Sequence, residues 1–181
     1  PGARVLETAC GTGIVTERLL SRLAGAGHLV ATDLNEPMLR YAASRLVPRE
    51  GLEWRQADAT KLPFEDGSFD ALVCQFGFMF FPDKPAGARE VFRVLRPGGR
   101  ALISVWGRLE DNPTPRITHE TVATFFPTDP PRFYALPFSM HDPAVLAALL
   151  TGAGFEDVQW ERLDRVGSSP SAEQAVIGLI E

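Results

Sequence analysis

The sequence predicts an α/β fold, a doubly wound and mostly parallel sheet with helices on both faces. Three observations predict it. Short apolar runs of strand length alternate with segments whose apolar residues recur at helical spacing. The stretches between most of the runs are long enough for the crossover helix that a parallel pair requires. A tight turn holding Gly11 and Gly13 joins the first run to the first helical segment.

The elements follow in order. Arg4–Thr8 reads as the first strand, and the helix after the glycine turn carries Ile14, Val15, Leu19, Leu20 and Leu23. His28–Thr32 is a second strand ending at Asp33. Glu36–Leu46 is a second helix, with Met38, Leu39, Ala42, Ala43 and Leu46 at helical spacing. Leu52–Gln56 is a third strand. Pro63, Asp66 and Gly67 make 57–68 a loop. Phe69–Gln75 is a buried strand, Lys84–Leu95 a helix stopped by Pro97-Gly98-Gly99, and Ala101–Trp106 a fifth strand. Residues 107–138 break the alternation with prolines and with Phe125, Phe126, Phe133, Tyr134 and Phe138, around one short helix at about Ile117–Phe126. Asp142 then caps a helix through Leu150 that Gly152 and Gly154 end. Phe155–Val166 reads as a sixth strand, and Ser171 to Gln174 as a capping box opening a last helix. The expectation is one domain, 1–181, with 107–138 as a lid-like insert. The sixth strand calls for an antiparallel partner, and the last helix runs to Glu181 uncapped, so the reading is of a fold lacking its terminal elements.

Composition bounds the function. The chain has 181 residues, 45% hydrophobic and 23% charged, with a formal net charge of −5. That suits a single globular core. No apolar run reaches the ~18 residues of a membrane span. No basic stripe offers counterions to phosphates, which argues against nucleic acid as a partner. Arg89, Arg93 and Arg96 lie among apolar residues and read as a solvated helix face. Cys10 and Cys74 both fall in apolar stretches, as small buried hydrophobes fitting a reducing cytoplasm, and no zinc spacing or other metal set appears.

The chemistry starts in the turn Glu7-Thr8-Ala9-Cys10-Gly11-Thr12-Gly13. Glycines between a strand and a helix let a ligand approach backbone N–H groups. A dinucleotide fingerprint places Gly or Ala three residues after the second glycine, where this chain has Thr16. The Lys-Ser/Thr of a P-loop is absent. Glu7 would repel a pyrophosphate but suits an ammonium group. Asp33 ends the second strand, where a carboxylate can accept both hydroxyls of a ribose, a feature shared by several nucleoside cofactors.

Further motifs separate these cofactors. They are Gln56-Ala57-Asp58-Ala59, Leu62-Pro63-Phe64, Asp66-Gly67-Ser68-Phe69-Asp70, Val73-Cys74-Gln75-Phe76-Gly77, Phe80-Phe81-Pro82-Asp83 and Val91 through Arg100 with its Leu95-Arg96-Pro97-Gly98-Gly99. In this order and spacing the chain resembles class I S-adenosylmethionine-dependent methyltransferases over about residues 4–106. The resemblance implies their Rossmann-like fold, S-adenosylmethionine as cofactor and S-adenosylhomocysteine as product. It implies Gly11 and Gly13 against the methionyl part, with Glu7, Ala9 and Cys10 beside it. Asp33 would hold the ribose, and Leu34 and Met38 would line the adenine. Asp58 would accept the adenine amino group next to the Ala59 N–H, and Gln75 and Phe76 would face the sulfonium. Glu7 departs from the Asp frequent in the family, keeping the charge on a longer arm.

The acceptor is expected to be a small molecule, apolar or aromatic given the insert, methylated on O, N or C. The loop before Phe69 is similar to that of ubiquinone and menaquinone C-methyltransferases, whereas Ser104-Val105-Trp106-Gly107 departs from them. Asp129-Pro130-Pro131 lies far from the end of the fourth strand, where nucleic-acid amino-methyltransferases carry such a motif. Cys74 lacks the preceding proline of cytosine methyltransferases. No catalytic residue is singled out. His119 and His141 are candidate bases, each more simply read as surface histidines. The alternatives are a nicotinamide-dependent Rossmann oxidoreductase, which Thr16 and Asp58-Ala59 speak against, and a non-catalytic S-adenosylmethionine-binding module.

Overall fold

The computed structural model describes residues 2–174. Strands β1 (Arg4–Glu7), β2 (His28–Asp33), β3 (Leu52–Gln56), β4 (Phe69–Gln75) and β5 (Leu95–Ser104) form one sheet in the order β3-β2-β1-β4-β5, every pair parallel. The helices are α1 (Ile14–Leu23), α2 (Glu36–Arg45), α3 (Lys84–Val94), α4 (Pro113–Thr124) and α5 (Pro143–Ala153).

Alternation along the central strands explains the two helical layers. Successive side chains point to opposite faces. Val5 and Leu29 pack with Leu19, Leu20 and Leu23 of α1, while Ala31 meets Leu39 of α2 on the same face. Their neighbours Leu6, Val30 and Leu72 pack on the other face with Ala88, Val91 and Val94 of α3. α5 covers α3 through Leu146, Leu149, Leu150 and Ala153. Helix starts follow local chemistry. Asn35, Asp83 and Asp142 each accept a first-turn N–H, from Met38, Ala86 and Ala144, and each is followed by a proline in the first turn.

Several boundaries differ from the expectation. β5 begins at Leu95, directly after α3, rather than at Ala101. The short step from Phe69 to Ala71 opposes the longer step from Leu95 to Arg100, an irregularity that absorbs Pro97-Gly98-Gly99 within the strand. It ends at Ser104, so Trp106 leaves the sheet. The insert helix starts at Pro113, not Ile117, because a proline in the first turn removes only an N–H that has no intrahelical partner. α5 runs to Ala153, and Gly154 alone is its left-handed cap at φ 118°. A Cβ there would lie 2.7 Å from the Phe92 ring.

The sixth strand is overturned. Residues 155–166 form no strand among the described residues, and Trp160 and Leu163 are exposed. A strand exists through a ladder partner, and this segment pairs with none of the described residues, although its composition is strand-like. Ser171 does cap a turn, its hydroxyl accepting from Gln174 N at 3.2 Å. The helix expected beyond lies outside the described residues.

Candidate functional site

The sheet reverses its winding at β1, whose chain leaves toward β2 on one side while β4 lies on the other. In open α/β sheets such a switch point opens a crevice at the carboxyl ends of the strands. Glu7, Asp33, Gln56 and Gln75 end four of these strands.

β1 ends in Glu7, only 2% exposed. The Thr16 hydroxyl donates to its Oε2 at 2.6 Å, and the Thr32 hydroxyl donates to its carbonyl at 2.9 Å. Burial, reinforced by the charge of Asp33, pushes the Glu7 carboxyl up to about 7 against the opposing Thr16 bond. Thr16 therefore has its own reason to stand where a dinucleotide turn carries a small residue.

The turn after β1 is built on left-handed residues: Ala9 at φ 53°, Gly11 at 54° and Gly13 at 81°. Gly13 is also tight, since a Cβ there would lie 3.0 Å from that of Ala42. The same test at Gly11 meets no atom of the described residues within 4 Å. Gly11 faces open space while its N–H is spoken for. That N–H donates to Asp33 Oδ2 at 2.8 Å, and Asn35 N donates to Oδ1 at 2.8 Å. Asp33 thus ties the glycine turn to the start of α2. Cys10 and Cys74 are unpaired and buried, which pushes both thiols up.

Beyond Asp33, Leu34 and Met38 stand 64% and 44% exposed, so core packing does not account for them. Ala57 N donates to the Asp33 carbonyl at 3.1 Å, which brings the loop after β3 alongside. In that loop Asp58 Oδ1 accepts from both the N–H and the hydroxyl of Thr60, and these bonds hold its carboxyl below the usual range.

β4 ends in an exposed Gln75 and then Phe76, whose φ of 53° is a left-handed conformation rare for an aromatic residue. A Cβ on Gly77 would lie 2.3 Å from that of Ala9, so the turns after β1 and β4 touch and glycine is required there. The Phe76 ring stacks on Trp106 with centroids 4.1 Å apart and planes 7° apart. Trp106 meets Phe138 at 6.1 Å, and Phe138 meets Tyr134 at 6.3 Å. The insert is joined to the end of β4 by this aromatic run.

The methyltransferase-domain family model matches residues 6–103, more than half of the chain. The chain belongs to that family. It is an S-adenosylmethionine-dependent methyltransferase of class I. It is 34% identical over 177 residues to a ubiquinone/menaquinone biosynthesis C-methyltransferase of Ectopseudomonas mendocina, covering 90% of this chain and 69% of that one. It is 35% identical over 173 residues to a demethylmenaquinone methyltransferase of Mycolicibacterium gilvum, with 90% and 72% covered. A methyltransferase structure from Methanosarcina mazei superposes with a TM-score of 0.67 at 22% identity, over 92% of this chain and 85% of that chain. The Haloferax volcanii protein solved with the Trm112 methyltransferase activator gives 0.63 at 24% identity, over 84% of this chain. The present chain spans 61% of that protein's length. At those identities the two structures speak for the fold.

This methyltransferase brings Glu7, Ala9, Cys10, Gly11, Gly13, Asp33, Leu34 and Met38 to one end of the sheet. Asp58 and Ala59 follow on the adjoining loop, and Gln75 and Phe76 on the next strand. The sequence did not show Thr16 as the partner of Glu7, Asn35 as a donor to Asp33, Gly77 against Ala9, or Trp106 as the partner of Phe76. Two of these carried a signal: Asn35 precedes Glu36-Pro37 as a helix cap does, and Gly77 is a glycine just past the end of a strand. The solvated-face reading of the arginine cluster fails for Arg93, which the fold turns inward onto Glu90 and the 57–68 loop, whereas Arg96 is exposed as expected but lies in β5, paired with Asp70. Charge alone does not say which way a helical arginine points. Among the described residues no helix is long and apolar enough to cross a membrane, and no group of His, Cys, Asp or Glu is placed to hold a metal.

Proposed function

We propose that this methyltransferase acts on a planar aromatic acceptor of quinone type, supplied in reduced form and methylated at a ring carbon, with 107–138 as its lid. The observation that carries this is the aromatic run Phe76–Trp106–Phe138–Tyr134. It leads from the carboxyl end of β4 into the insert, where the exposed Trp106 offers flat apolar surface to a flat acceptor and the buried Phe138 anchors the run. The names of the two quinone-biosynthesis relatives support the same class. A cytoplasmic setting belongs to this reading, supported by two buried, unpaired cysteines.

The residues of the crevice fit S-adenosylmethionine. The open space at Gly11 suits a ligand lying against the turn, with Ala9, Cys10 and Gly13 around it. Glu7 and Asp33 supply negative charge for a ligand whose reactive end is positive. Each Asp33 oxygen gives one lone pair to a backbone N–H and keeps another for a ribose hydroxyl. Leu34 and Met38 offer exposed apolar surface for the adenine, and Asp58 with the Ala59 N–H reads its edge. Gln75 and Phe76 border the reacting end. When bound, S-adenosylmethionine supplies a methyl group activated by the sulfonium. The chain's part is to hold the acceptor carbon in line with that methyl and to exclude water.

No side chain is assigned as a base. His141 Nδ1 lies 2.9 Å from the Phe138 carbonyl, and His119 Nδ1 is buried beside the Tyr134 ring without a hydrogen-bond partner among the described residues.

The test is methyl transfer from labelled cofactor to reduced demethylmenaquinone, with a simple phenol and a primary amine in parallel. Carbon-bound label in the quinone product is expected. Label confined to the oxygen or nitrogen acceptors would overturn the acceptor class.

A further inference from the structure

We infer that Arg93, locked to Glu90, is the positioning residue that holds Asp58 and Ala59 in register for reading the cofactor's base. This rests on the proposed role of Asp58 and Ala59 at the adenine edge.

The 57–68 loop lies between β3 and β4 without secondary structure of its own, so its backbone polar groups have no ladder to satisfy them. Arg93 and Glu90 supply the partners from α3. Arg93 Nη2 donates to the Leu62 carbonyl at 2.9 Å, and Nη1 donates to the Phe64 carbonyl at 2.7 Å and to Asp66 Oδ1 at 2.7 Å. Arg93 Nε and Nη2 hold the two oxygens of Glu90 at 2.7 Å each, and Glu90 Oε2 also accepts from Leu62 N at 2.6 Å. Leu62 is thereby gripped through both its N–H and its carbonyl. The neighbouring Lys61 N donates to the Asp58 carbonyl at 3.0 Å, closing a turn onto Asp58. At the other end Ala57 N is fixed to the Asp33 carbonyl. Asp58 and Ala59 sit between these two anchors.

The grip leaves the reading groups free. Asp58 Oδ1 is taken by Thr60, while Asp58 Oδ2 and the Ala59 N–H have no partner among the described residues. A carboxylate oxygen beside a backbone N–H matches the amino group and ring nitrogen at the edge of adenine. It opposes hypoxanthine, which carries a carbonyl and an N–H in those places. Discrimination of that kind depends on where the pair stands, and a loop held by side-chain bonds stands where its clamp puts it. Lysine cannot replace the clamp, because a point charge lacks the planar fork that serves two carbonyls and two carboxylates at once.

The experiment is calorimetric binding of S-adenosylhomocysteine and S-inosylhomocysteine to the full chain and to Asp58→Asn and Arg93→Lys. The unaltered chain is expected to prefer the adenine ligand by about 10- to 100-fold. Arg93→Lys is expected to lose most of that preference, with inosine-ligand affinity changed less than about threefold. A fold defect would weaken both ligands together. Equal weakening, or an intact preference in Arg93→Lys, overturns the proposal. An intact preference in Asp58→Asn instead overturns the adenine reading on which it rests. If Arg93→Lys gives no cooperative melting transition, Glu90→Gln replaces it under the same criteria, since it loosens Leu62 while keeping Arg93 on the two carbonyls.

Discussion

A buried carboxyl decides the residue-scale chemistry of the crevice. Glu7 sits at the end of the central strand with a Thr16 bond and the Asp33 charge for company, and its carboxyl titrates near 7 rather than at its ordinary 4.5. The raised value means that the folded chain binds a proton the unfolded chain has released between these two pH values. Stability from this group is therefore complete below about 4.5 and is lost as pH rises through about 7, by about 3 kcal/mol in all. Denaturant unfolding of the cofactor-free chain across this window, compared with Glu7→Gln, is expected to reveal that fall only when Glu7 is present. A parallel pH dependence in the two proteins would refute it. In the proposed cofactor placement a positive group beside Glu7 would favour its charged form and so link cofactor binding to release of a proton.

At the scale of the element, the lid role proposed for the insert predicts a division between binding and transfer. The residues proposed to hold the cofactor, from Glu7 to Phe76, all precede 107–138. The insert reaches them through Trp106 stacked on Phe76 and through Phe138 beyond it. Replacing 107–138 with a short Gly/Ser linker is expected to lower cofactor affinity by less than about tenfold and methyl transfer by orders of magnitude. The acceptor then loses the wall that orients it and keeps water out. A cooperative melting transition is the required control. Retained turnover in the folded variant would mean that the acceptor is oriented elsewhere, and loss of cofactor binding would make the insert part of the cofactor site.

Across the whole molecule, stability is concentrated where the two helical layers meet the sheet. Leu6, Val30, Leu72, Phe69 and Phe78 are fully buried there, and Val5 and Leu29 close the opposite face. Residues 155–170 are mostly exposed and form no ladder bonds among the described residues. Amide hydrogen exchange is expected to be slowest in β1, β2 and β4 and near the unprotected rate across 157–168. Protection of that segment at the level of β1 would mean that it is paired in solution, and would restore the sixth strand.

The sequence by itself determined the alternation of elements, the glycine turn and the acidic strand ends. Strand and helix periods are local, and so are the cap read at Asp142 and the need for glycine at a left-handed turn. The family motifs extended that legibility to the cofactor. Tertiary structure alone decided what depends on distant partners. It gave Thr16 to Glu7 and Asp33 to the Gly11 N–H, and it stacked Trp106 on Phe76. It also turned Arg93 from solvent onto the loop after β3, and it withheld a partner from 155–166. The physical reason is common to all five. A hydrogen bond, a ring stack or a β-ladder joins groups far apart in the chain, and a residue's own type and neighbours do not name the group it will meet.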